Sequence, residues 1–425
     1  MVLLRRPSLT SSRTCAARLG PGGLARRVAL ALATGLLPAS TGASGPQAND
    51  SHAEAAGACV ESEPGIGQAV STFLSPAPAR IGALRLIGEQ RIAHRVAFGE
   101  TVVGGLSGID YDPRTGDWAL VSDDRSDLGP ARWYTARLDY DARGFAGISL
   151  TGMTPLRRAD GTPYPSRLRA GAVPDTESIR YDPRDGSVWY ASEGDRVLGL
   201  DPVVRHLARN GTLQGELPVP PPFRMHWLRS LGPRNNTAYE GLAFAPDGAS
   251  LWVAMEGPLQ QDGELPSADH GALARFTQYD RAGTVLRQIA YPVDAVPAVP
   301  AGARHAENGV AEILAIDAAR LLVLERAAVQ DAHGVYRNSI RLYEADLSAA
   351  DDVAAQASLR DAAPRPAAKR LVLDLDALAL PRLDNIEGMA WGPRLPNGHA
   401  TLVLVSDDNF STSQVTQLLA LEVLP

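Results

Sequence analysis

Acidic residues recur at matched places in this sequence, at a spacing that would gather them. Tyr239 to Phe244 reads as a strand, Pro246-Asp247-Gly248 as a tight turn, and Leu251 to Glu256 as a second strand. Folding back about Gly248 sets Phe244 beside Trp252 and Glu240 beside Glu256, so two carboxylates share the open end of one hairpin. The same layout pairs Ser107 with Asp123 and Glu177 with Glu193, each sixteen residues apart like Glu240 and Glu256. Glu387 and Asp407 repeat it across a longer loop, and Glu312 and Glu325 across a tighter one. If the hairpins share an axis, these acids meet at one mouth, with Asp124 and Asp408 close by. Two like charges 4 Å apart at an effective dielectric of about 20 repel by roughly 4 kcal/mol. Such a cluster takes up protons or gathers cations. Oxygen ligands without a His/Cys set favour Ca²⁺ over Zn²⁺. Candidate protein cations are Arg125, Arg180, Arg196, Arg275 and Arg326. Alternatively, each Glu is a clasp that bonds a neighbouring N–H or Arg.

Other chemistry is poorly supported. Gly104-Gly105-Leu106-Ser107-Gly108 lacks the glycine that a serine elbow places two residues after its nucleophile, and it opens a strand without a following helix. His226, His270 and His305 are scattered loop histidines.

The elements that would position the acids are short alternating strands separated by Gly/Pro turns. Repeats start at 107, 177, 240, 312 and 387. That period, without helical spacing, predicts an all-β propeller of five motif-bearing blades, five or six in total. A strand within 80–95 is expected to close the ring against Val415 to Val423. Residues 202–222 resist assignment, since Pro218, Pro220, Pro221 and Pro222 bar an interior strand. The Ala/Asp-rich stretch 347–366 reads as an insertion.

A net charge of −7 with no basic stripe argues against nucleic acid. Arginines, the apolar run Val28 to Leu37 and small residues after it read as a signal segment over 1–44, followed by a flexible leader over 45–78 and the propeller domain over 79–425. The mature chain is then a secreted or periplasmic monomer without a membrane span. Signal cleavage removes Cys15 and leaves Cys59 alone, without an internal disulfide.

Gly105-Leu106-Ser107-Gly108-Ile109, Asp175-Thr176-Glu177-Ser178-Ile179, Tyr239-Glu240-Gly241-Leu242, Asn385-Ile386-Glu387-Gly388-Met389 and Val405-Ser406-Asp407-Asp408-Asn409 resemble the phytase-like domain family, also described as having esterase-like activity. The resemblance spans about residues 80–425 and implies a propeller that hydrolyses phosphoesters with calcium. With it, the leading expectation is a hydrolase of a small anionic ester. Asp123, Glu177, Glu193, Glu240, Glu256, Glu387 and Asp407 would hold metal, Glu312 or Glu325 would orient water, and Arg180 or Arg326 would clamp the substrate. A non-catalytic envelope-binding propeller and a lactonase-like metal-dependent propeller remain the alternatives.

Overall fold

The computed structural model describes residues 77–78, 80–167, 173–226 and 228–425. The chain enters through β1 (Ala83–Ile92) and a short ribbon of β2 (Ala97–Phe98) and β3 (Thr101–Val102). Blade one is β4 (Leu106–Asp112), β5 (Asp117–Ser122), β6 (Arg132–Asp141) and β7 (Gly144–Pro155). Blade two is β8 (Thr176–Tyr181), β9 (Val188–Ser192), β10 (Val203–Leu207) and β11 (Leu213–Glu216). Blade three is β12 (Tyr239–Phe244), β13 (Ser250–Met255), β14 (Ala272–Asp280) and β15 (Val285–Val293). Blade four is β16 (His305–Ala315), β17 (Arg320–Gln330), β18 (Tyr336–Asp346) and β19 (Ala368–Asp374). Blade five is β20 (Asn385–Gly392), β21 (Thr401–Asp407) and β22 (Thr416–Leu424), completed by β1.

Each blade is an antiparallel four-stranded sheet, and the first strands β4, β8, β12, β16 and β20 touch in turn until β20 meets β4 again. The ring therefore has five blades. It closes as expected, with β1 paired to β22 from Ala83 opposite Leu424 to Ile92 opposite Thr416. A closed ring leaves only short, protected sheet edges.

Burial follows from this arrangement. The second strands β9, β13 and β21 lie between neighbouring blades and are buried throughout, so they read as continuous apolar runs. The outer strands β1 and β7 alternate between partly covered and exposed positions. Trp189, Leu242, Trp252, Val310 and Val323 belong to one apolar cluster joining blades two, three and four. The hairpins turn alike: Gly116 and Gly186 each donate to the carbonyl of an aspartate four residues earlier, at φ 74. At that angle a side chain is strained and glycine is not.

The register corrects part of the sequence reading. Tyr239 pairs with Met255, Gly241 with Ala254, Ala243 with Trp252 and Phe244 with Leu251. Phe244 is thus not opposite Trp252, and Glu240 bulges out of the ladder instead of facing Glu256. Bulges fall at the same place in every blade, on Ser107, Glu177, Glu240, Ala311 and Glu387. In blade four the bulged residue is Ala311, and Glu312 follows it, where the other blades have Gly108, Ser178, Gly241 and Gly388. Glu325 pairs with Val310 as Met255 pairs with Tyr239, so Arg326 stands where the other blades carry Asp123, Glu193, Glu256 and Asp407.

Residues 202–222 do contain strands, β10 and β11, placed before the prolines. The insertion 347–366 buries Val353 and Leu359 against Ala290 of blade three. Among the described residues no helix is long and apolar enough to cross a membrane. The signal segment and nearly all of the leader lie outside the described residues.

Candidate metal centre

The bulges decide what reaches the axis. A bulge re-aims the side chain it carries and is common beside functional sites. In blades one, three and five the residue after it is a glycine, packed so close to the next blade that a side chain would collide. A Cβ on Gly241 would come within 2.9 Å of Ile313 N, and one on Gly388 within 2.7 Å of Ser107 O. Glu312 occupies that crowded position in blade four, and its carboxylate fills the axis itself.

There it is fully satisfied. Glu312 meets Arg180 at 2.8 Å and accepts hydrogen bonds from Ser178 Oγ (2.8 Å), Leu242 N (3.0 Å) and Ile313 N (2.9 Å). The Arg180 guanidinium donates to the carbonyls of Ile109 (2.8 Å), Ile179 (2.7 Å), Ile313 (3.2 Å) and Met389 (3.3 Å). This one ion pair bonds to the first strand of all five blades. Below it, at the opposite end of the axis, lies a mainly apolar bowl of about 390 Å³, lined by Tyr111, Phe244, Ile316 and Trp391 with Asp110 and Arg180 among them.

Above the plug lies the acidic mouth. Asp123, Glu177, Glu193, Glu240, Glu256, Glu387 and Asp407 are brought together there, joined by Asp175, each acting on or acted on by the like charge of others in the group. Glycine makes the room: a Cβ on Gly105 would lie 2.1 Å from Asp123 Oδ1, and one on Gly309 would lie 2.4 Å from Glu256 Cγ.

Few donors reach these acids. Arg326 is set among three, at 2.9 Å from Glu307, 3.3 Å from Glu256 and 3.5 Å from Glu387. Arg125 bridges Asp175 (3.1 Å) and Asp195 (2.9 Å). Asn385 donates to Glu387 (2.9 Å), and Asn409 N donates to Asp407 (2.7 Å). The carboxylates of Asp123, Glu177 and Glu240 make no hydrogen bond and no ion pair among the described residues.

Their proton affinities follow. Burial, then the charges of Asp407 and Asp175, push Asp123 well above the carboxylate range. Burial, then Glu193 and Asp175, do the same to Glu177; burial, then Glu177 and Glu256, to Glu240. Glu193 and Asp407 are also driven well up, burial first and a neighbouring acid second. Burial raises Glu256 to about 8 although Arg326 opposes it. Asp175, Glu177 and Glu193 each offer an oxygen within 4.8 Å of the others, a set that could hold a metal ion.

The remaining candidates lie elsewhere. Glu325 is committed between blades three and four: it accepts from Tyr291 Oη (2.8 Å), Asn308 Nδ2 (3.0 Å) and Asp294 N (3.1 Å), and pairs with Lys369. Arg275 is buried against Asp262 at 2.6 Å, and Arg196 donates to loop carbonyls. Asp124 pairs with Arg132 at 2.6 Å. Asp408 accepts from Gly105 N (2.9 Å) and Phe410 N (3.1 Å) through Oδ1. The group Asp182, Asp185 and His206 has metal-ligand residue types too, but Asp182 is bonded by Trp189 Nε1 and paired with Arg281.

The sequence reading did not name Glu307 or use Asp175. Asp175 lies two residues before a bulged Glu. Glu307 is reached because β16 begins earlier than the other first strands, which the length of the alternating stretch before Glu312 could have signalled.

No curated protein matches the chain. It is similar to a solved structure described as "Structure of Dos1 propeller", at 8% identity and TM-score 0.30, over 80% of this chain and 96% of that one. It is also similar to one described as "Tail fiber of Staphylococcus aureus phage P68", at 12% identity and TM-score 0.27, over 80% of this chain and 74% of that one. Residues 101–410, more than half of the 425, match the profile of the phytase-like family, described as esterase-like activity of phytase, and the chain belongs to that family.

Proposed function

We propose that this propeller is a calcium-assisted hydrolase of phosphate or other esters, acting as a monomer on a small anionic substrate. The observation that carries this is the set Asp123, Glu177 and Glu240: three neighbouring carboxylates with no protein donor, at a mouth where Arg326 supplies positive charge.

The residues fit a hard cation. The donors at the mouth are oxygens, as calcium prefers. One buried polar atom close to the set, Ser107 Oγ, has no hydrogen-bond partner, and Asp408 Oδ2 faces only His94 Nδ1 at 3.6 Å. Gly105 and Gly309 let Asp123 and Glu256 take up positions at the mouth that a Cβ would block. Asp123, Glu177, Glu193, Glu240, Glu256, Glu387 and Asp407 would hold the ion, with Asp175 beside them. When bound there, calcium supplies Lewis-acid stabilisation of charge on phosphoryl or carbonyl oxygens.

The chain's own residues do the rest. Arg326 presents its guanidinium to an incoming anion and keeps Glu256 and Glu387 apart. An acid of the mouth with raised proton affinity accepts a proton from the attacking water. Arg180 and Glu312 hold the five first strands in register beneath it, and Glu325 fixes blade four against blade three. The acids are therefore preorganised, which is what makes electrostatic stabilisation effective.

The basic, apolar and small-residue start of the sequence supports export to the periplasm or medium. One observation favours a second reading, a non-catalytic envelope-binding propeller: Arg326 already pairs with three mouth acids. Assay of the purified chain on p-nitrophenyl phosphate and phytate, with calcium and with EGTA, separates the two. Calcium-dependent turnover supports the hydrolase, and background rates throughout exclude phosphoesters as its substrates and favour the binding propeller.

A further inference from the structure

The mouth is acidic, yet its surroundings are not wholly polar. Eleven large hydrophobic side chains are exposed among the described residues, and all but Leu286 and Leu371 lie at or beyond the mouth-side ends of strands. Five of them sit on the loops of blades two and three: Val197 (83% exposed), Leu198 (50%), Leu228 (77%), Leu231 (40%) and Leu265 (42%).

Single exposed hydrophobics are ordinary, whereas a patch bordered by polar residues marks a binding surface. Here the three loops are sewn into one body. Arg196 donates to the carbonyls of Pro233 (2.7 Å), Arg229 (2.6 Å) and Leu231 (3.1 Å), and its own N–H donates to Asn235 Oδ1 (3.0 Å). Arg234 donates to Pro258 O and Gly263 O, both at 2.7 Å. Backbone carbonyls of these loops are thus bonded within the body, and the five apolar side chains are exposed on it beside polar ones such as Arg229, Asn236 and Glu264.

The shelf is continuous with the acids. Asp195, next to Arg196, bonds Arg125 at 2.9 Å, and Arg125 reaches Asp175 at 3.1 Å. Leu265 lies over Gly257, the residue after Glu256: a Cβ there would be 3.5 Å from Leu265 Cδ2.

Building on the hydrolase reading above, we propose that the substrate is an amphiphilic ester, its acid end at the mouth and its alkyl or acyl chain along this shelf. A wholly polar polyanion has no apolar surface to exchange for the water over Val197 and Leu228. A chain does, and each methylene it buries fully is worth up to about fourfold in affinity. On an open shelf about twofold per methylene is the reasonable expectation.

The test uses the calcium-loaded protein. Its kcat/KM is measured on p-nitrophenyl acetate, butyrate and octanoate, and binding of ethyl phosphate and n-octyl phosphate is measured by calorimetry. Octanoate should exceed acetate by about tenfold or more, through KM, and octyl phosphate should bind at least about tenfold more tightly than ethyl phosphate. The double variant Val197→Ser, Leu228→Ser should flatten both series, while Leu286→Ser on the far side should keep them. Equal values along both series in the wild type, or slopes unchanged in the double variant, overturn the proposal. If calcium brings no turnover of any ester, the hydrolase reading falls and this substrate with it; the alkyl phosphates alone then decide whether the shelf takes a chain.

Discussion

The axis of this propeller holds two acidic regions built from the same side-chain types, and they differ in how many donors each acid receives. At the plug, Glu312 has an arginine, a hydroxyl and two backbone N–H groups. A little above it, Asp123, Glu177 and Glu240 have none among the described residues. A buried carboxylate with four donors is a structural clasp, and removing its partner costs several kcal/mol. Neighbouring carboxylates with no donor oppose the fold unless something outside the chain neutralises them. Exposure and donor count both separate the two regions: Glu312 is fully buried, whereas Asp123 and Glu177 are partly exposed and Glu240 lies at the edge of burial.

The comparison is broken most directly at the plug. Arg180→Met leaves Glu312 buried without its cation and frees four carbonyls in four blades, so it should destabilise by at least about 3–5 kcal/mol or prevent folding. The double variant Arg180→Met, Glu312→Leu should recover part of that loss. Urea unfolding of the two variants checks this. A single variant as stable as the wild type would show that the plug does not hold the blades.

At the mouth the signs reverse. Calcium at one hundred times its dissociation constant should stabilise the wild type by about 2.7 kcal/mol, seen as a rise in Tm. Glu240→Gln should raise the Tm of the calcium-free protein, because it removes a carboxyl that burial and the charges of Glu177 and Glu256 keep from ionising, and should shrink the calcium-induced rise. A Tm of Glu240→Gln below the wild type in EGTA would mean that Glu240 is held by donors after all.

Arg326 sharpens the contrast because it belongs to the mouth but acts like the plug. Arg326→Met should lower kcat/KM on an anionic ester by roughly 10- to 100-fold, the loss of one charge-assisted contact. It should also strengthen calcium binding, since Glu256 and Glu387 lose their internal competitor. Calorimetry and steady-state kinetics on the same variant separate the two effects. Loss of activity with weaker calcium binding would place Arg326 in the support of the site and not at the substrate.

Most of this arrangement could be read from the residues. Asp-Pro and Pro-Asp-Gly turns, alternating strands and acids at equal offsets carry the propeller, its closure and the seven mouth acids. Spacing alone misplaces two things: the pairing of Glu240 with Glu256, which the bulge undoes, and the frame of blade four, which its glutamate shifts by one. A bulge is a backbone event, and Ala311 carries it as well as a glutamate would. The small residue after the bulged position, Gly108, Ser178, Gly241 or Gly388, marks the frame better, since sterics at the axis enforce it. Aligned that way, Glu312 is the exception that enters the axis and Arg326 the inverted charge. Which acids keep donors could not be read from spacing, because Arg180 finds its carbonyls on strands far apart in the chain.

The effect that is smallest per step tests the plug by pH. Burial, against Arg180, raises Glu312 from its ordinary 4.5 to about 7. The folded chain therefore holds this proton more tightly than the unfolded one. The stability linked to it is complete below about pH 4.5 and is lost as pH rises through about 7, at no more than about 1.4 kcal/mol per pH unit. Glu312→Gln cannot titrate there. In calcium-free buffer the mouth acids and Asp110 titrate alike in both proteins, so they cancel from the difference. The stability gap between wild type and Glu312→Gln, followed by urea unfolding from pH 4.5 to 7.5, should narrow as pH rises. A gap that widens would mean that the four donors outweigh burial and that Glu312 is ionised throughout, which would make the clasp stronger and its difference from the mouth larger.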